Sequence, residues 1–297
     1  MNLENIELNN LNIKKDFDTS KISWLKSGGK VKLYCNIKSH KHLIDIFKFI
    51  NLNKISFIIV GNFSNTLIKA SGFSGLLLKL SNDFTKILIK DNIVTVGASV
   101  LDSKFSIFCY ENSIGGYEFL YTIPGTIGGN VFMNAGCYGY KISDKIISIN
   151  IFDTLTFETK EIKVDEINFK YREGFQIKNK IILSVNMKIQ YTDKDLIKSK
   201  MMDFDKQRKI TQPQKVNCCG SIFKNPPHFN AWKLISTSVD KSFYIGDVKL
   251  SRKHSNFFEN KAFVNPDIIE SFLKKIENKV LIKHNIKLEK ELRIVGD

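Results

Sequence analysis

A chain of 297 residues, 43% hydrophobic and 25% charged, is too long for one ordinary core and has the make-up of a globular protein of two or three packed units. Its net charge of +15 comes from lysines spread along the whole length beside Ile and Asn, with no arginine-rich block. That pattern argues against nucleic acid as a partner and leaves a general attraction for small anions.

The first residues, MNLENIELNN, are acidic and polar, so no secretory signal is expected. No run approaches the ~20 apolar residues of a membrane span. Cys35, Cys109, Cys137, Cys218 and Cys219 are odd in number and lack CxxC spacing, which points to reduced thiols in a cytoplasm. His40 and His42 have no partner motif, so no metal site is expected. The turn Lys26-Ser27-Gly28-Gly29 opens into the alternating run 31–35, a strand. Leu43, Ile46, Phe47 and Ile50 recur at helical spacing over 42–50, and the apolar run 55–60 reads as a buried strand. Gly61-Asn62-Phe63-Ser64-Asn65 follows at once. Strand, helix, strand and polar loop make a βαβ unit, with the loop at the strand end where ligands of α/β sheets sit.

Short strands are expected at 76–80, 87–89 and 93–96, with a turn at Asp91-Asn92, and then a helix over 101–112. Residues 116–140, GYEFLYTIPGTIGGNVFMNAGCYGY, concentrate Gly116, Gly125, Gly128, Gly129, Gly136 and Gly139. Taken as a loop, this stretch leaves main-chain N–H groups without ladder partners, and Thr126, Asn130 and Asn134 add side-chain donors. A phosphate or pyrophosphate would satisfy them; a tight bend between strands is the plainer account of one or two of the glycines. Strands are expected at 146–152, 156–164 and 181–189, with 165–169 leading into Tyr171-Arg172. A charged helix over 195–209 ends at Thr211-Gln212-Pro213 and marks a boundary. The final third holds a loop at 218–229, a helix over 231–238 and a short strand at 254–258. It closes with a helix over 266–284 opened by Asn265-Pro266 and a strand over 288–295.

Four stretches carry candidate chemistry. The 61–65 and 123–134 loops make two walls for a pyrophosphate, each a weak signal alone. Arg172 is either functional or an ordinary surface or ion-pair residue. Gly220-Ser221-Ile222-Phe223-Lys224-Asn225-Pro226 joins a hydroxyl, a cation, an amide and a rigid turn, or is a plain loop in which Ser221 caps a turn. Glu291 shares a strand face with Arg293, for which a cross-strand salt bridge is the bland account.

In this order, Lys26-Ser27-Gly28-Gly29, GNFSN, IPGTIGGNVFMNAGCYG, Tyr171-Arg172, GSIFKNP and LEKELRIVG together resemble the UDP-N-acetylenolpyruvoylglucosamine reductase family from Ile22 onward. The segments 231–235 (AWKLI) and 254–257 (HSNF) also match ones common there, and the absence of a long insertion after Ile189 resembles the shorter type without the tyrosine loop. The resemblance implies an α+β fold: two α/β FAD-binding subdomains of the PCMH or vanillyl-alcohol-oxidase kind, at 1–80 and 81–194, and a C-terminal α+β substrate domain at 195–297. It implies a cytoplasmic, monomeric enzyme of peptidoglycan synthesis that reduces UDP-N-acetylglucosamine enolpyruvate to UDP-N-acetylmuramate, with NADPH reducing FAD and the flavin passing hydride to the enolpyruvyl carbon. No nucleic acid, membrane or metal enters.

By the same resemblance Ser221 is the proton donor, and Arg172 and Glu291 fill the other catalytic positions. Gly61, Asn62, Ser64, Asn65, Pro124, Gly125, Thr126, Gly128, Gly129, Asn134 and Gly136 are assigned to FAD, and Tyr171, Lys224 and Asn225 to the substrate. The chain departs from the family pattern where Phe63 replaces a glycine, where Glu173-Gly174 follow Arg172, at Gly246-Asp247 and at 259–262. A flavin oxidase of small alcohols or sugars would share the fold but leaves GSIFKNP unexplained. A basic binding module is the reading from a different class.

Overall fold

The computed structural model describes residues 8–297; part of the segment in which no secretory signal is expected, residues 1–7, lies outside the described residues. The chain runs through β1 (Ile13–Asp18), β2 (Lys30–Ile37), α1 (His40–Asn53), β3 (Phe57–Val60), β4 (Thr66–Ile68) and β5 (Phe73–Leu80). The hairpin of β6 (Ile87–Lys90) and β7 (Ile93–Gly97) leads to α2 (Asp102–Glu111), the short α3 (Ile127–Met133) and the small pair β8 (Gly136–Cys137) and β9 (Tyr140–Lys141). Then come β10 (Ile146–Asp153), β11 (Thr159–Lys163), β12 (Lys180–Lys188) and α4 (Lys194–Thr211). The last stretch carries α5 (Ala231–Ser238), β13 (Tyr244–Ile245), β14 (Val248–Leu250), β15 (Phe258–Asn260), α6 (Pro266–His284) and β16 (Arg293–Val295). Among the described residues no helix is long and apolar enough to cross a membrane.

Two compact units emerge, and the chain passes between them within β2 and again within β5. Of the described residues, the first comprises 8–13, Cys35–Asn62 and Leu77–Arg208. Here the ends of β2 and β5 and the whole of β3 lie in the order β2-β5-β3, so α1 crosses over one intervening strand. Ser39 caps α1 by accepting from His42 N–H, Lys54 ends it in a left-handed conformation, and Leu43, Ile46, Phe47 and Ile50 are buried, as their spacing predicts. A five-stranded antiparallel sheet in the order β11-β10-β12-β7-β6 completes this unit. Its β6–β7 turn, Asp91-Asn92, has φ of 50° and 60°, the two left-handed residues that a tight hairpin needs. Lys180 on β12 pairs with the buried Asp153 of β10, whose carboxyl is held down to about 2.

The second unit comprises Lys14–Tyr34, Phe63–Leu76 and Lys209–Asp297. Its core gathers Leu234 and Ile235 of α5, Ile269, Phe272, Leu273, Ile276 and Val280 of α6, and Phe258 of β15 around Leu25, Leu67 and Ile222. Asn265 caps α6 by accepting from Asp267 N–H, with Pro266 in the first turn. A three-stranded sheet, β13-β14-β15, packs on α6, and β16 lies parallel to β4.

Three sequence expectations need correction. The 123–134 stretch is not all loop, because α3 lies inside it. The expected strand at 254–258 is displaced: His254 to Phe257 form a turn closed by Phe257 N–H on His254 O (2.9 Å), and β15 starts at Phe258. The closing strand is confined to Arg293–Val295, and Glu291 lies in the bend before it.

Candidate active site

In the first unit the glycine-rich stretch folds onto the end of β7. Thr126 caps α3, its Oγ1 accepting from Gly129 N–H at 3.3 Å. Ile127 N–H donates to Val100 O (3.0 Å), Gly128 N–H to Ala98 O (2.8 Å) and Asn130 N–H to Thr126 O (2.9 Å). Gly136 enters the β8–β9 pair opposite Lys141. The expectation of unsatisfied main-chain donors is therefore overturned at these positions: folding as a helical turn supplies them with protein acceptors.

What the stretch leaves open is side-chain chemistry. Asn134 Oδ1 is buried without a hydrogen-bond partner, while Asn134 Nδ2 donates to Lys170 O (2.9 Å), and the buried Asn130 amide faces the Asp102 carboxyl. The two expected walls do meet within this unit. Asn62 Nδ2 donates to Pro124 O at 2.9 Å, and Gly61 lies so close to Thr126 that an added Cβ would overlap its Oγ1. Beneath Gly125, whose carbonyl accepts from Asp102 N–H (3.2 Å), the Asp102 carboxyl is fully enclosed. Burial pushes that carboxyl well above the usual carboxylate range, only partly offset by Asn130 and the Gly125 N–H. Asp102 escapes a sequence reading because an acidic residue opening a helix ordinarily faces water.

Tyr171 and Arg172 are the middle residues of a tight turn closed from both sides, Lys170 N–H to Glu173 O (2.8 Å) and Glu173 N–H to Lys170 O (3.1 Å). Arg172 sits there with φ of 58°, a conformation usual for glycine and held by a non-glycine residue mostly where surroundings fix it. Its Nη1 donates to Gly136 O (3.2 Å), and the guanidinium lies over the exposed Tyr171 ring. Gly174 anchors this turn: Gly174 N–H donates to Phe132 O and Phe175 N–H to Val131 O, both at 3.0 Å, and a Cβ on Gly174 would overlap Val131 O. Close packing on α3 explains this departure from the family pattern. Arg172, Asn134 and Gly136 are brought together here.

In the second unit Ser221 lies in a half-buried irregular segment. Glu291 N–H donates to Ile222 O at 2.7 Å, Lys224 N–H to Glu289 O at 2.8 Å, and Phe223 bridges Lys290. The segments carrying Ser221 and Glu291 are thereby laced together. Asn65 Nδ2 donates to Glu291 O (2.9 Å), beside the half-buried Ser64. Phe63 is buried with φ of 56°, so the main chain takes the shape that a glycine would adopt there. Lys224 Nζ pairs with Glu289 Oε1 (2.6 Å), and Asn225 Oδ1 accepts from Ala231 N–H at the start of α5 (2.9 Å). Arg293 and His254 are both pushed down by burial, and burial raises the Cys219 thiol.

Comparison with known proteins bears on these two regions separately. Residues 31–154 match a family described as "FAD binding domain", and residues 212–295 match the C-terminal domain of UDP-N-acetylenolpyruvoylglucosamine reductase. The chain is 36% identical to the UDP-N-acetylenolpyruvoylglucosamine reductase of Pelagibacter ubique over 288 residues, 95% of this chain and 94% of the relative. It is 35% identical to that of Rickettsia rickettsii (strain Sheila Smith) over 287 residues, 95% of each. The crystal structure of the corresponding reductase from Thermus caldophilus superposes with a TM-score of 0.81 at 24% identity, covering 95% of this chain and 97% of that one, which establishes the fold. The FAD-binding match together with relatives named as reductases defines an FAD-dependent oxidoreductase. Identity of this extent settles the matter further: the chain belongs to the UDP-N-acetylenolpyruvoylglucosamine reductase family.

Proposed function

We propose that the protein reduces UDP-N-acetylglucosamine enolpyruvate to UDP-N-acetylmuramate at the expense of NADPH, through FAD, as a cytoplasmic monomer in peptidoglycan precursor synthesis. The observation that carries this reading is the lacing of Ser221 to Glu291 through the 2.7 Å bond from Glu291 N–H to Ile222 O. The division at residues 80 and 194 belongs to the same proposal.

FAD fits the first region. The approach of Gly61 to Thr126 and the Asn62–Pro124 bond make a close main-chain cradle, with the buried Asn134 Oδ1 left as an open polar atom beside it. Gly61, Asn62, Pro124, Gly125, Thr126, Gly128, Gly129, Asn134 and Gly136, with Ser64 and Asn65, would hold the cofactor. When bound, FAD carries reducing equivalents from NADPH to the substrate as hydride. Ser221 holds a hydroxyl for the carbon beside the substrate carboxylate, where enolate character makes a neutral donor sufficient. Arg172, fixed in its turn, offers charge to the developing oxyanion, and Glu291 in its protonated form donates a hydrogen bond to the enol intermediate beside the substrate carboxyl. Tyr171, Lys224 and Asn225 bind the sugar nucleotide. Lys224 then exchanges Glu289 for an anionic group of the substrate, and this competition makes binding specific.

Stopped-flow absorbance tests the assignment. Ser221→Ala is expected to keep bleaching of the flavin by NADPH while slowing reoxidation by the enolpyruvyl substrate about 10²–10⁴-fold. Parallel loss of both half-reactions would remove Ser221 from the proton-donor role.

A further inference from the structure

Ser221 belongs to neither a helix nor a strand, so its hydroxyl is only as well placed as the bonds holding its neighbours. Those bonds converge on one side chain. Asn256 Oδ1 accepts from Phe223 N–H (3.0 Å) and Asn256 Nδ2 donates to Phe223 O (2.8 Å), while the Asn256 main-chain carbonyl accepts from Ile222 N–H (2.9 Å). A single buried residue thus satisfies every main-chain group of Phe223 and the N–H of Ile222. From the other side Glu291 N–H and Leu292 N–H donate to Ile222 O (2.7 and 3.3 Å). Asn256 is itself set by the turn after His254, its N–H donating to His254 Nδ1 (3.2 Å). An amide that offers one donor and one acceptor side by side stands in for a strand partner on the side of the 220–226 segment away from Lys290.

We propose that Asn256 is a positioning residue for the proton-donating segment: its two-point bond to Phe223, with Glu291 opposite, fixes where the Ser221 hydroxyl is presented to the substrate. The inference rests on the function proposed above. The side chain requirement is strict. Aspartate at 256 keeps the acceptor for Phe223 N–H but turns a second oxygen toward Phe223 O, where two acceptors repel. Glutamine keeps both groups but moves them out by one methylene. A displacement of ~1 Å at a reacting group is enough to slow chemistry about 100-fold.

The experiment compares Asn256→Asp and Asn256→Gln with the unaltered, FAD-loaded full chain. NADPH reduction of the flavin, reoxidation by the enolpyruvyl substrate and hydrogen exchange of the amides of 221–223 are measured on the same samples. The expected result is flavin reduction within about twofold of the unaltered protein, reoxidation slowed at least about tenfold, and faster exchange at residues 221–223. Reoxidation at the unaltered rate overturns the proposal, and so does an equal fall in both half-reactions, which marks a merely structural role. Should Asn256→Asp not fold, Asn256→Gln decides by the same criteria. If the unaltered protein itself is not reoxidised by the enolpyruvyl substrate, the proposed function fails; if it is, and neither variant is slower, only the role of Asn256 fails.

Discussion

The 123–136 stretch of the first unit, which winds into α3, and the irregular 220–226 segment of the second both bear glycines, but they are held in place differently. In the first, main chain packs directly on main chain and side chain: Gly61 against Thr126, Gly174 against Val131 O, with the N–H groups of 127–130 all bonded within the protein. In the second, Gly220 has φ of 80° and nothing within 4 Å of where a Cβ would lie, and the segment is steadied by hydrogen bonds from Asn256 and Glu291. One region needs glycine for space, the other for torsion. A region of the first kind is a rigid cradle; a region of the second kind depends on a few polar clamps, which suits a donor that must be aimed.

Substitution at the glycines puts that contrast at risk. The largest effect is expected from Gly174→Ala, where the added methyl overlaps a main-chain oxygen and comes 2.7 Å from Asn134 N. Overpacking of this kind costs about 3 kcal/mol at the upper end, read as a lowered unfolding temperature and loss of retained FAD. Gly220→Ala meets no atoms and is expected to cost only the left-handed backbone penalty, about 1–2 kcal/mol, with FAD retention unchanged. Equal losses in the two variants would erase the distinction between the regions.

Asp102→Asn is expected to be the mildest and to act by pH. The folded protein raises the Asp102 carboxyl by burial, so its proton is bound more tightly folded than unfolded. Its contribution is present below the ordinary carboxylate range, near pH 4, and is lost as pH rises toward the folded value. Asparagine removes that dependence, so the variant gains in unfolding temperature relative to the unaltered protein more at pH 8 than at pH 4. A difference that is the same at both pH values would mean that the enclosed carboxyl does not hold its proton.

Much of the scaffold was legible because burial writes its period into the chain. Leu43, Ile46, Phe47 and Ile50 of α1, and Ile269, Phe272, Leu273, Ile276 and Val280 of α6, face their cores as the spacing requires. Asp91-Asn92 gave away its hairpin through residues that tolerate positive φ. Other features were hidden, and three of them show why. β1 is mostly exposed, with no alternation to read. α3 carries two glycines and holds together through its Thr126 cap, the buried pair Ile127 and Val131 and the left-handed Asn134, of which only the four-residue spacing of Ile127 and Val131 was a usable signal. The segment before β16 runs on into the apolar Ile294 and Val295 and so reads as one strand with them, yet its hydrogen bonds go to the 222–224 main chain instead of a ladder. The candidate residues were readable as an ordered set of motifs. What holds them, Asp102 under Gly125 and Asn256 on Phe223, was not, since buried polar partners carry no period.

Phe63 sets two opposing costs against each other at one position. It adopts a conformation that costs a side chain about 1–2 kcal/mol, yet its ring is 98% hidden, with 2% relative exposure. Emptying that space would forfeit about 3–5 kcal/mol, more than relaxing the backbone returns. Placing glycine there is therefore a downhill step in stability for this chain: the void left by the ring outweighs the relief of the backbone, unless the residues around it are enlarged to refill the space.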